Sequence, residues 1–275
     1  ILGKRSDGFH ELETLMVPVP IYDRISMEIS DSGIQLHCSD ESLPSGPDNL
    51  VFRAAELFFE KTGISSGIHI DLQKNIPIQG GLGGGSSNAA RTLVGLNIIF
   101  GNPLTSDQLS ENAAMLGSDV PFFIGEAPAL AFGRGERIRP LDPFPVLKGL
   151  YMILIRPGFG ISTPWAYRQS ANFPNSIKGQ PGKAQQLADS LRNTSDWKVM
   201  APLFQNSLEA AVFHKYPILS LYKQFLIDQG SLAALMSGSG STLFALLSDK
   251  DTAENLQKRF ENRFGNHHWS AVVSF

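Results

Sequence analysis

The segment Gly80-Gly81-Leu82-Gly83-Gly84-Gly85 places five glycines in six positions and opens directly onto Ser86-Ser87-Asn88-Ala89-Ala90. A backbone with so few side chains can take positive φ and lets a ligand approach without interference from Cβ atoms. The residues that follow favour helix. A glycine loop feeding a helix N-terminus offers unpaired N–H groups and the positive end of the helix dipole, which together stabilise anionic phosphates. The plainer reading is a flexible connector ending in a Ser/Asn cap, but flexible linkers rarely join a strand to a helix with a leucine, here Leu82, in their middle. Several kinds of phosphate loop are excluded. No lysine follows the glycines as a Walker loop requires, and counting from Gly81 the sixth position is Ser86, which breaks a dinucleotide fingerprint. There is no H-R-D kinase loop, and Gly84 and Asn88 flank Ser86 where a hydrolase elbow needs two glycines. What remains is a nucleotide-phosphate loop of another kind.

Composition narrows the partners. The 275 residues carry 23 Lys and Arg against 26 Asp and Glu, a net charge of −3, whereas a protein built to neutralise nucleic-acid phosphates shows a basic excess. With 42% apolar and 18% charged residues, the chain can build a core and is not of disordered composition. A single cysteine, Cys38, excludes an internal disulfide and a multi-cysteine zinc site, and no histidines are spaced as a metal pair. Apolar stretches such as Leu150–Ile155 fall far short of the ~20 residues of a membrane span, and no signal-peptide pattern is present. The expectation is a cytoplasmic globular protein without nucleic-acid or membrane partners; a plastid protein after loss of its transit peptide would read the same.

Segments Arg24–Ser30 and Ile68–Leu72 alternate apolar and polar residues, the period-2 mark of half-buried strands. Between them, Asn49–Glu60 carries apolar residues at helical spacing and runs to a stop at Gly63. A second helix begins within Ser86–Asn97. Thr105 and Gln108 fit a capping box for a third, closing at Gly117. The Pro-rich run Pro140–Pro145 marks a domain boundary, giving units 1–148 and 149–275. The second unit has helix-like stretches at 201–213 and 217–229, a strand-like pair around Ser237–Ser241, a final helix from Thr252, and a loop over 172–182. Ile1-Leu2 reads as the tail of a strand. The class is α+β, without regular βαβ alternation.

The run Pro77-Ile78-Gln79-Gly80 through Ala90 resembles the second motif of the galactokinase, homoserine, mevalonate and phosphomevalonate kinase superfamily. Met236-Ser237-Gly238-Ser239-Gly240-Ser241-Thr242 is similar to its third, a glycine loop of the C-terminal domain that supports the first. Gly3–Leu12 and Gly117–Phe122 resemble those members that phosphorylate a cytidine-diphosphate-linked alcohol in the non-mevalonate isoprenoid pathway. The likeness runs in order from Gly3 to about Leu247. It implies a two-domain α+β small-molecule kinase with its site in the interdomain cleft, ATP and Mg2+ as cofactors, a small cytidine-diphosphate substrate, and direct transfer without a phosphoenzyme.

The resemblance also implies roles. Asp119, in Gly117-Ser118-Asp119-Val120-Pro121, would be the base that accepts the proton of the attacking hydroxyl; read alone, it is a cap for the next turn. Phe9 would stack on the cytosine, His10 would hydrogen-bond its edge, and Tyr167, in Thr163-Pro164-Trp165-Ala166-Tyr167, would cover the other face. Ordinary packing is the plain reading of these rings. Pro77–Ser87 (Pro77, Ile78, Gln79, Gly80, Gly81, Leu82, Gly83, Gly84, Gly85, Ser86 and Ser87) would hold the triphosphate, supported by Ser237, Gly238, Ser239 and Gly240. Asn49, Leu50, Lys74 and Asn88 fall at the adenine and ribose contacts; by themselves, Asn49 is a helix cap and Lys74 a solvated lysine. No carboxylate cage for a metal is visible, so Mg2+ would rest on phosphate oxygens and water with the Ser87 hydroxyl. The superfamily's first motif, Pro-x-Lys-x-Asn-Leu, falls upstream of Gly3, and Lys4 is not its lysine. The alternatives are another member of the superfamily, acting on homoserine, mevalonate or a sugar, and a nucleotide-binding module without catalysis.

Overall fold

The computed structural model describes residues 1–176 and 179–275; Ile177 and Lys178, within the loop expected over 172–182, lie outside the described residues. Among the described residues, eleven strands build three sheets. The strands are β1 (Gly3–Lys4), β2 (His10–Met16), β3 (Arg24–Ser30), β4 (Ile34–Cys38), β5 (Gly67–Gln73), β6 (Ala129–Gly133), β7 (Arg137–Pro140), β8 (Tyr151–Pro157), β9 (Ala233–Met236), β10 (Leu243–Leu247) and β11 (His268–Ser274). The sheet orders are β1-β2-β6-β7, β3-β5-β4 and β11-β8-β10-β9. Pairing is antiparallel except between β4 and β5, which are joined by the one βαβ crossover. Leu2 N donates to Glu11 O at 2.8 Å, so the ladder of β1 continues one residue ahead of the strand proper.

Helix α1 (Leu50–Thr62) forms where the apolar spacing places it. The Asn49 side chain accepts from Val51 N, and Gly63 at φ 67° ends the helix in the left-handed region. Its buried face holds Val51, Ala54, Ala55, Leu57 and Phe58; a fully buried side chain such as Phe58 contributes about 1.5–3 kcal/mol. Helix α2 (Gly84–Ile99) packs beside it through Ala89, Leu93 and Leu96. Helix α3 (Ser106–Leu116) has both bonds of the Thr105–Gln108 capping box. Gly117 closes it in extended backbone, φ 176°, and not in the left-handed turn that ends α1.

The second half carries α4 (Thr163–Ser170), α5 (Lys183–Asn193), α6 (Trp197–Met200), α7 (Glu209–Lys215), α8 (Pro217–Asp228) and α9 (Lys250–Phe264). The helix expected over 201–213 is broken. A 3-10 turn spans Ala201–Leu203, and α7 begins only at Glu209. Pro202 sits in that turn, and the Asn206 side chain accepts from Leu208 N, so both favour a turn over a continuous helix. Helix α9 starts two residues before Thr252 because Asp249 is its cap, accepting from Thr252 N at 2.8 Å.

Two apolar cores lie under the β3-β5-β4 and β11-β8-β10-β9 sheets. A third joins the halves: Met152, Leu154, Leu187, Leu191 and Met200 pack with Leu15, Val17, Val19 and Leu82. This places the glycine loop at the seam.

Candidate active site

The chain leaves β5 through Lys74–Ile76 and enters the loop at Pro77. Gln79, Gly81 and Gly83 all take positive φ, at 51°, 75° and 68°. At Gly81 a Cβ would stand 2.2 Å from Ser237 O, and at Gly83 it would stand 2.5 Å from Phe123 Cζ. Positive φ favours glycine at both positions; at Gly81 the facing atom is backbone and leaves no room for a side chain, whereas at Gly83 it is the tip of a phenylalanine ring. Gly83 caps α2 without a side chain, and the first intrahelical bond runs from Ser87 N to Gly83 O at 2.8 Å. The N–H groups of Gly84, Gly85 and Ser86 precede that bond and are free for a ligand.

Four consecutive loop carbonyls are tied to the second half. Arg156 Nη2 donates to Ile78 O at 3.2 Å and Ser237 Oγ to Gly81 O at 2.8 Å. Ile161 N donates to Gln79 O at 3.2 Å and Thr242 N to Gly80 O at 3.0 Å. In a trans peptide the following N–H is antiparallel to its carbonyl. With the carbonyls turned to the second half, the N–H groups of Gln79, Gly80, Gly81 and Leu82 are turned away from it. Asn206 Nδ2 donates to Met236 O at 2.8 Å and Gly238 O at 2.7 Å, bracing the second glycine loop. Thr163 Oγ1 lies 2.7 Å from Ser239 Oγ, tying that loop to the start of α4, where Pro164 occupies the first turn.

Asp119 sits at the head of α2. Ser86 Oγ donates to Asp119 Oδ1 at 2.8 Å. Asp119 does precede a 3-10 turn, Val120–Ile124, but its side chain makes no cap bond there. Its carboxylate also acts on Tyr167: enclosure first, and the Asp119 charge second, push the Tyr167 phenol up to about 12. The Tyr167 ring meets the His10 ring at 5.4 Å between centroids. Burial, then Lys4 and the N-terminus, lower the His10 pKa from its ordinary value and favour the neutral ring. Phe9 is 50% exposed on the rim, with the Arg134 guanidinium over its ring at 4.8 Å. Gly135, beside Arg134, approaches Ser118, the neighbour of Asp119. The structure thus gathers Asp119, Ser86, His10 and Tyr167, with Phe9 at the edge.

The remaining candidates surround α2. Leu50 Cδ1 lies 3.6 Å from where a Gly85 Cβ would be. Asn49 spends both ends of its amide on the protein, donating to Pro44 O at 2.8 Å and accepting from Val51 N at 2.9 Å. Asn88 is buried on α2. Lys74 is no solvated lysine: its side chain is 6% exposed and is paired with Asp23, itself 1% exposed. Sequence reasoning missed Asp23, Arg156, Asn206 and Arg134. None belongs to a local motif, and each acts on residues distant in the chain.

A glycine loop at the head of a helix, held by a second glycine loop from the other half, is the frame of a small-molecule kinase of the GHMP class, and the family comparisons agree. Residues 49–126 match the GHMP kinases N terminal domain, and residues 186–267 match GHMP kinases C terminal. A 4-diphosphocytidyl-2-C-methyl-D-erythritol kinase of Syntrophotalea carbinolica is 38% identical over 99% of this chain and 92% of its own length. One of Desulfitobacterium hafniense is 40% identical over 98% and 89%. A crystal structure of 4-(cytidine 5'-diphospho)-2C-methyl-D-erythritol kinase superposes with a TM-score of 0.81 at 32% identity, covering 100% of this chain and 94% of the other. A homoserine kinase from Cytophaga hutchinsonii shares the fold at TM-score 0.76 and 22% identity, covering 97% and 93%. The chain belongs to the 4-diphosphocytidyl-2-C-methyl-D-erythritol kinase family, a family of ATP-dependent kinases.

Proposed function

We propose that this chain transfers the γ-phosphoryl group of ATP to the 2-hydroxyl of 4-diphosphocytidyl-2-C-methyl-D-erythritol, a step of the non-mevalonate isoprenoid pathway. The observation that carries the reading is the Ser86–Asp119 hydrogen bond, 2.8 Å long, which holds beside the glycine loop a carboxylate whose charge is felt at Tyr167.

Asp119 is the base. Ser86 occupies Oδ1, and Oδ2 is left to accept the proton of the incoming hydroxyl. As the substrate oxygen forms its bond to phosphorus, the bond from phosphorus to the departing ADP breaks and the proton passes to Asp119. Such a base contributes typically ~10²–10⁴-fold to rate. Tyr167, neutral with its pKa near 12, adds no second negative charge beside Asp119. A neutral His10 offers one donor and one acceptor, which matches the mixed edge of cytosine, and Phe9 supplies a face for stacking. The loop fits a triphosphate because the N–H groups of Gly84, Gly85 and Ser86 at the head of α2 have no intrahelical partner and the helix dipole favours anions there. Mg2+ would be held by Ser87 with phosphate oxygens and would neutralise charge on the transferring group. The chain divides into units 1–148 and 149–275. This division is supported by a β11-β8-β10-β9 sheet drawn entirely from residues after 150, with the other two sheets drawn from residues before 141. Among the described residues no helix is long and apolar enough to cross a membrane, and the bacterial relatives favour the cytoplasm.

An ADP-release assay with the cytidylyl substrate, run against homoserine and mevalonate in parallel, tests the assignment. Turnover with the cytidylyl compound alone is expected. Turnover with either of the others in preference to it would reassign the chain within the superfamily.

A further inference from the structure

Asp23 lies just ahead of β3, 51 residues from Lys74 in the chain, and no part of the mechanism above uses it. Its carboxylate is fully committed. Oδ1 accepts from Asn75 N at 2.6 Å and from Ile76 N at 2.8 Å, while Oδ2 receives the Lys74 ammonium. Asn75 Nδ2 also donates to Tyr22 O at 2.9 Å, so the two segments are clasped at neighbouring positions. Burying a carboxylate and an ammonium is costly unless geometry and extra hydrogen bonds compensate. Here both charges are buried, at 1% and 6% exposure, and a surface pair would have tied the chain together as well.

The clasp ends at the phosphate loop. Lys74 Nζ lies 3.4 Å, and Ile76 Cγ2 2.9 Å, from the point a Cβ on Gly84 would occupy. Gly84 is the first residue of α2, so Asp23 fixes both side chains that crowd the helix head. An ammonium has three donors; Asp23 takes one and aims the group, leaving others for a nucleotide. We infer that Asp23 is a positioning residue for nucleotide binding: it holds the Lys74 ammonium and the Asn75-Ile76 backbone in place at the N-terminus of α2. The inference rests on the nucleotide reading of the loop given above.

The test is equilibrium binding of ATP to the full chain, with CDP titrated separately. D23N is nearly isosteric and keeps an acceptor for the two backbone N–H groups, but it loses the charge that aims Lys74. A charge-assisted hydrogen bond that is lost or misdirected corresponds to roughly 10–100-fold in affinity. D23N is therefore expected to weaken ATP by about that factor, to leave CDP affinity within about twofold, and to raise KM for ATP with little change in kcat. K74M should weaken ATP similarly, and D23N/K74M should be no weaker than K74M. A merely structural Asp23 would instead reduce ATP and CDP binding together, and that result overturns the proposal. So does an unchanged ATP affinity in D23N, or independent multiplication of the two losses in the double variant. If D23N fails to fold, D23N/K74M still serves, because it buries no unpaired charge. That variant binding ATP as tightly as the unaltered protein would overturn the proposal. An unaltered chain that binds no ATP would overturn the nucleotide reading, and this inference with it.

Discussion

Asp119 and Tyr167 share one electrostatic environment: burial first, and the Asp119 charge second, hold the phenol neutral. Asp119→Asn preserves the size of the side chain and the Ser86 contact but removes the proposed proton acceptor. Its kcat is expected to fall by ~10²–10⁴-fold, while ATP still binds; single-turnover kinetics alongside nucleotide titration will show the split. His10 gives a second prediction. Its pKa is lowered from the ordinary 6.5, so at and just below pH 6.5 the folded protein keeps a neutral ring while the unfolded chain takes up a proton. The stability that goes with the neutral ring is complete above 6.5 and is lost as pH falls below it. KM for the cytidylyl substrate should accordingly stay flat through pH 6.5 and rise only at lower pH, with the dependence absent in His10→Asn. A KM that already climbs between pH 7.5 and 6.5 would contradict a depressed histidine. At this scale the sequence is readable only where motifs are local. Asp119 stands in a recognisable Gly-x-Asp-Val-Pro, whereas Asp23 has no local signature, because its partners lie 51 to 53 residues away.

Helices α1 and α3 were legible because their caps are written in adjacent residues, Asn49 with Gly63 and Thr105 with Gln108. Where side chains serve distant partners, as Asn206 serves Met236 and Gly238, periodicity alone overextended the helix across 201–213. The two glycine loops are an intermediate case. Their backbone freedom is visible in composition, but which glycine is indispensable depends on what it faces. Gly83→Ala adds a Cβ 2.5 Å from the tip of a phenylalanine ring, which can shift; Gly81→Ala adds one 2.2 Å from a backbone oxygen of the partner loop, which cannot shift without parting the loops. Both also incur about 1–2 kcal/mol for a left-handed alanine. The expected order of destabilisation is Gly81→Ala greater than Gly83→Ala in thermal unfolding, with ATP binding lost in Gly81→Ala. The α1 cap gives a control away from the carbonyl clasp: Asn49→Ala should cost ~1 kcal/mol in denaturant unfolding and leave the order of the two glycine variants untouched.

At the scale of the whole molecule, the site exists because the halves are locked together. Beyond the four carbonyl bonds and the shared apolar core, Glu13 on β2 accepts from Gly182 N at 2.7 Å and Ala184 N at 2.9 Å, capping α5 from the other half. The sequence suggested two units but not this reciprocal wiring, since a cap supplied 169 residues away leaves no pattern. The consequence is that a ligand engaging His10 and Tyr167 touches β2 and α4 at once, and must stabilise the assembly as one unit. A ligand that binds only the native state stabilises by RT ln(1 + [L]/Kd), about 2.7 kcal/mol at a hundredfold excess over Kd. At roughly 2–4 °C per kcal/mol for a chain near this size, CDP should raise Tm by about 5–10 °C. Homoserine and mevalonate carry no base for Phe9, His10 and Tyr167 and should leave Tm where it is. ATP with Mg2+ should add its own shift on top, because the glycine loop and the His10–Tyr167 pair are separate surfaces. A melting curve moved by homoserine or mevalonate but not by CDP would mean that these rings recognise no base, and would direct the search for the phosphoryl acceptor elsewhere in the superfamily.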